Sequence, residues 1–179
     1  LGLALASLLA AFLAVPVQTA MIGDGWGDAL QPSAIRDVMV STEVGTVFLM
    51  QAIGAVLLLA LSASKSLLFW RLTALASGAM LTTLVGQGHA VMQDGWVGLV
   101  HQLNDAIHVL SAGAWFGGLV LLAVILRMSI GAPLPPDAST ALRRFSVAGH
   151  LFVAAVLATG AANMVFILGL PVRWSTPYQ

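Results

Sequence analysis

Apolar runs of about 20 residues recur along this chain with few charges inside them, and that is the length a helix needs to cross the hydrocarbon core of a bilayer. A helix satisfies its own backbone hydrogen bonds there, and no stretch shows the apolar–polar alternation of a membrane β-barrel. Hydrophobic residues make up 59% of the 179 and charged residues 8%, against about a quarter charged in soluble domains. The expected fold is therefore an all-α, polytopic transmembrane bundle in a single domain, residues 1–179. Five spans are predicted, at about 3–22, 45–61, 72–88, 98–126 and 147–170. The fourth is Val109 to Leu126 with a polar N-terminal extension from Gly98. Because the chain opens on Leu1 and stops just after a span, it reads as a fragment, and five is a minimum count of spans.

Basic residues in short loops set the orientation. Lys65, Arg71, Arg127, Arg143 and Arg144 fall on one side, whereas Arg36 and Arg173 share the other with Asp24, Asp28, Asp37, Glu43 and Asp94. The first side is predicted to be cytoplasmic, in a bacterial inner membrane. The proline-rich segment 132–136 makes a cytoplasmic turn, after which Asp137 or Ser139 is placed to cap the next helix. Trp26, Trp70, Trp96 and Trp174 lie near span ends, where interfacial anchors sit. Gly113 and Gly117 form a small-xxx-small pattern suited to close helix packing.

The formal net charge is zero and there is no cysteine. Nothing points to nucleic acid, no nucleotide-binding motif is present, no enzymatic activity is implied, and thiolate chemistry is absent. The available metal ligands are His, Met, Asn, Asp and Glu. Chemistry concentrates in His101-Gln-Leu-Asn-Asp-Ala-Ile-His108, where helical spacing puts His101, Asn104, Asp105 and His108 along one face. Measured from the cytoplasmic arginines at about 1.5 Å per residue, His89, His108 and Asn163 all reach a depth of about 27–28 Å. Met164 is one residue further, and His101 lies about 10 Å further out. Polar groups at such depth are costly unless they face the bundle interior. Imidazole is the commonest transition-metal ligand and a Met thioether suits Cu(I).

The candidate metal ligands are thus His89, His101, His108 and Met164. Asn104, Asp105, Asn163, His150 and Met92 are weaker candidates. Asp105 is expected to orient an imidazole rather than to bind the ion. Asn163 and Met164 point about 100° apart, so at most one of them faces the site. His150 belongs to the cytoplasmic side, as a second waypoint or a helix–helix hydrogen bond. Thr82, Gly86, His89 and Gln93 form one polar or small stripe, and the sharpest expectation is that His89 and His108 reach one ion together. Spacing and depth by themselves give a metal-competent polar cluster. A b-type cytochrome with His-ligated haem, or an assembly subunit whose histidines only hold helices together, are the alternatives.

At these residues the chain resembles the copper resistance D family. Gly88-His89-Ala90, His101 to His108, Gly113-Ala-Trp115-Phe-Gly117-Gly118-Leu119, Arg144-Phe145-Ser146, Thr159-Gly160 and Asn163 carry the resemblance, from about Asp37 onward. Thr176-Pro-Tyr178 is similar to the loop before the family's next span, with Gln179 where a Gly is usual. The resemblance implies about eight spans in the whole protein, the further ones lying before Leu1 and after Gln179, copper as the ion, Cu(I) or Cu(II), moving from periplasm to cytoplasm, and a small periplasmic copper-binding protein as partner.

Overall fold

In a computed structural model of the chain, residues 2–63, 66–87, 93–130 and 136–169 are described. They are helical throughout apart from short turns, with no strand among the described residues. The helices are α1 (Gly2–Ile22), α2 (Pro32–Ser41), α3 (Glu43–Leu61), α4 (Leu67–Thr82), α5 (Gly95–Met128) and α6 (Pro136–Leu168). Five segments are long and apolar enough to cross a membrane: Ala4–Ile22, Glu43–Leu61, Leu67–Gly86, Gly95–Met128 and Asp137–Leu168. They match the five predicted spans with shifted ends. Trp26, Trp70 and Trp96 are all exposed, as anchors require.

The chain divides into two compact units, Leu1–Val91 and Met92–Gln179. In the first, α3 packs against both α1 and α4. Small residues allow close approach: Ala11 and Ala55 are buried with Val47, and Phe12 meets Phe48 edge to face with ring centroids 5.4 Å apart. Such packing, rather than hydrophobic transfer, holds helices together in lipid. Gln51 lies near the middle of α3 and lines a groove of about 490 Å³ together with Ser7, Ser77 and Met80.

The short helix α2 was not foreseen. Pro32 fits its first turn, where a missing N–H costs nothing. Thr42 then closes α2 and opens α3: its hydroxyl donates to the Val38 carbonyl at 2.6 Å and accepts from the Val44 N–H at 3.2 Å. The end of α4 also departs from expectation, because Thr83–Gln87 tightens into a 3-10 helix. That helix rises about 2.0 Å per residue, so a straight α-helical ruler from Arg71 does not hold beyond Thr82. Gly86 faces α3, where an added Cβ would stand 3.1 Å from Val47.

The second unit is an antiparallel pair of unusually long helices. α5 has 34 residues and α6 has 33, each therefore about 50 Å long against a hydrocarbon core of about 30 Å. α6 begins at Pro136, with Asp137 inside its first turn rather than before it, a place where a carboxylate favours the helix dipole. It ends at Gly169, whose φ of 75° lets its N–H turn back to the Val165 carbonyl at 2.9 Å.

The most specific pieces of the sequence pattern meet in this unit. Phe145, from Arg-Phe-Ser, lays its ring over Gly118, from Trp-Phe-Gly-Gly-Leu, so closely that a Cβ at Gly118 would overlap it. Gly117 has open space beside it. The close approach therefore falls at Gly118, one residue from the position expected. Trp115 reaches Gly149 in the same seam. These motifs set how α5 and α6 lock together.

Candidate metal centre

Along the α5–α6 seam, the stretch from His101 to His108 meets the residues from Thr159 to Phe166. Asn104 donates through Nδ2 to the Thr159 carbonyl at 2.9 Å and to Asn163 Oδ1 at 2.6 Å. Asn163 in turn donates through its own Nδ2 to Asp105 Oδ1 at 2.5 Å. This carboxylate–amide–amide chain fixes the rotation of both helices, so His101 and His108 both turn toward α6. Removing its middle member takes one bond each from Asp105 and Asn104, both half-buried, and a typical hydrogen bond contributes about 0.5–1.5 kcal/mol. Asn163→Ala is therefore expected to lower the thermal unfolding temperature of the protein in detergent, and an unchanged midpoint would contradict the network.

His108 Nδ1 lies 2.8 Å from Thr159 Oγ1. That hydroxyl has one proton, and it is directed at the Ala155 carbonyl at 2.6 Å. Thr159 must therefore accept from His108, which places a proton on Nδ1 and, in the neutral ring, the lone pair on Nε2. Gly160 gives the ring its room, with an added Cβ 3.6 Å from His108 Cε1. His150 follows the same rule: its Nδ1 donates to the Ser146 carbonyl at 2.6 Å, one turn back in α6. It is exposed and borders a groove with Trp115 and Phe145, away from the other two.

His101 is 1% exposed, and its ring stacks on Phe166 with centroids 4.6 Å apart and planes 18° apart. Its Nδ1 is 3.0 Å from Gln93 Oε1. Its Nε2 is buried and has no hydrogen-bond partner among the described residues. A buried polar nitrogen left unpaired is costly and rare in native proteins. An incoming cation would satisfy it.

The expected residues thus sort by geometry. His101, Asn104, Asp105, His108 and Asn163 come together, with Asn163 facing α5, whereas Met164 is 49% exposed. Asp105 touches Asn163, and the imidazoles are oriented instead by Gln93 and Thr159. His89 and Met92 lie outside the described residues, so their expected place beside His108 does too. Among the described residues, no group of three or more His, Cys, Asp or Glu gathers as a metal cage. Seven residues separate His101 from His108, or about 10 Å along the helix. That separation along one helix sets them too far apart to share one ion directly. Thr159 was visible as part of a motif, but its role as the partner of His108 depends on helix rotation that spacing does not give.

The chain is similar to known proteins over most of its length. Residues 1–99 match the family model described as copper resistance protein D-like, N-terminal domain, so the likeness begins well before Asp37. The chain is 34% identical over 170 residues to the inner membrane protein YebZ of Escherichia coli, covering 95% of this chain and 58% of that protein. It is 32% identical over 170 residues to the copper transport protein CutJ of Bacillus subtilis, covering 89% of this chain and 31% of that one. Against copper resistance protein D of Pseudomonas syringae it is 31% identical over 151 residues, covering 81% of this chain and 49% of that protein. No solved structure matches. The chain spans between about a third and three fifths of the length of these relatives, and on the family match and these identities it belongs to the copper resistance protein D-like family.

Proposed function

We propose that this chain forms part of an inner-membrane copper carrier, and that copper ions pass inward from the periplasmic side through imidazole Nε2 atoms on α5. The observation that carries this reading is the buried Nε2 of His101, which has no hydrogen-bond partner among the described residues. Copper meets His101 first and His108 about 10 Å deeper. Supporting hydrogen bonds at Nδ1 hold both rings, as they do in most histidine metal sites. His89 is a further donor of the same type, His150 a station toward the cytoplasm, and Met164 a thioether suited to Cu(I). The copper transport and copper resistance named in two relatives support the choice of cargo. A small periplasmic copper-binding protein is the proposed source of the ion.

Direction requires orientation. Lys65, Arg71, Arg127, Arg143 and Arg144 are proposed to face the cytoplasm, on the bias of basic residues in short loops. Single cysteines at positions 65 and 127 are expected to resist a membrane-impermeant maleimide in intact cells and to react after lysis. Labelling of position 65 from outside would reverse the orientation. The transport reading itself is tested by copper accumulation in cells expressing the protein. Cells carrying His101→Ala are expected to accumulate less copper than cells carrying the native chain at equal protein level, and equal accumulation would refute the reading.

A further inference from the structure

Gln93 stands just before α5 and is bonded to two other parts of the second unit at once. Its Nε2 donates to the backbone carbonyl of Phe166 at 3.0 Å, and its Oε1 lies 3.0 Å from His101 Nδ1. The first contact decides the chemistry of the second. A carbonyl only accepts, so the amide nitrogen must face Phe166 and the amide oxygen must face the imidazole. An amide oxygen also only accepts. His101 must therefore carry a proton on Nδ1, and in the neutral ring its Nε2 then holds the lone pair. The same Phe166 whose carbonyl orients Gln93 stacks its ring on His101, so amide and ring fix both the tautomer and the plane of the imidazole. Gly98 permits the arrangement, because a Cβ there would collide with the carbonyl oxygen of Gln93.

We propose that Gln93 is a positioning residue for copper capture, holding His101 in the one neutral tautomer whose buried Nε2 can bind a cation. A free imidazole exchanges its proton between the two nitrogens, and the tautomer with a proton on Nε2 has no lone pair there. The Gln93 amide, itself oriented by Phe166, removes that choice. The role of Gln93 in copper binding rests on the copper reading above, whereas its control of the tautomer does not.

Two measurements on the full chain in lipid nanodiscs separate these claims. The first is two-bond 1H–15N correlation of the metal-free protein labelled at histidine, with the His101 signal assigned by its loss in His101→Gln. Only four histidines contribute. The native chain is expected to show the Nδ1–H pattern at His101. Gln93→Leu, which removes the acceptor, shifts His101 toward the Nε2–H form, whereas Gln93→Glu keeps Nδ1–H because a carboxylate also accepts. An Nε2–H pattern in the native chain, or an unchanged His101 signal in Gln93→Leu, overturns the proposal. Should Gln93→Leu fail to fold, Gln93→Ala removes the same acceptor, and an unchanged His101 signal there overturns the proposal equally. The second measurement is Cu(I) affinity by competition with a chromogenic chelator. Gln93→Leu is expected to weaken binding about 10–100-fold, as loss of a ligand's supporting partner does, with Gln93→Glu close to native. Equal affinity in Gln93→Leu refutes the positioning role. A native chain that binds no Cu(I) while keeping the tautomer pattern refutes the copper reading instead.

Discussion

Replacing His101 by alanine is expected to weaken copper binding by at least the 10–100-fold typical of losing even a supporting group, while the helices stay folded. The ring fills a buried place against Phe166 and ends in a nitrogen with no partner among the described residues. Its removal therefore deletes a donor without deleting a hydrogen bond at Nε2. His108→Ala is expected to lower affinity as well, and Asp105→Asn to have the smaller effect, because Asp105 acts on the site only by holding Asn163. Chelator competition on each purified variant reads these changes. Copper affinity unchanged in both histidine variants would remove the site from this seam.

The second large effect concerns the packing that carries the site. A Cβ at Gly118 would overlap the ring of Phe145, so Gly118→Ala forces that ring out of the seam. Overpacking of this kind costs about 1–3 kcal/mol. The variant is expected to unfold at lower temperature. Adding Phe145→Ala should return part of the loss, since the clash then has no second member. A double variant less stable than the sum of the two single changes would contradict the proposed contact.

Much of the fold was legible because hydropathy alone marks a membrane helix: each span must be apolar over most of its length, whatever its neighbours are. The short helix α2 escaped because its ten residues are too few and too polar overall to mark a span, although one face buries Val38. Counting residues brought Asn163 to the right helix seam but about one turn off: it was expected level with His108, which instead pairs with Thr159, while Asn163 meets Asn104 and Asp105. Rotation was not legible. Whether Asn163 or Met164 faced α5, and whether Gly117 or Gly118 met α6, turned on about 100° of azimuth that only packing decides. The partners of the imidazoles were hidden for the same reason. Gln93 sits in an apparent stripe with Thr82 and Gly86, but its amide is used by His101 and Phe166.

The central claim is that this seam binds copper through imidazole nitrogen. Metal content and the visible spectrum of the purified protein, taken together with those of a His101→Ala/His108→Ala double variant, test it most directly. The account predicts copper in the native protein, no intense Soret band, and loss of most of that copper in the double variant with the helical circular dichroism retained. A Soret band that disappears in the double variant would mean haem ligation instead. Copper content equal in the two proteins would contradict the account outright.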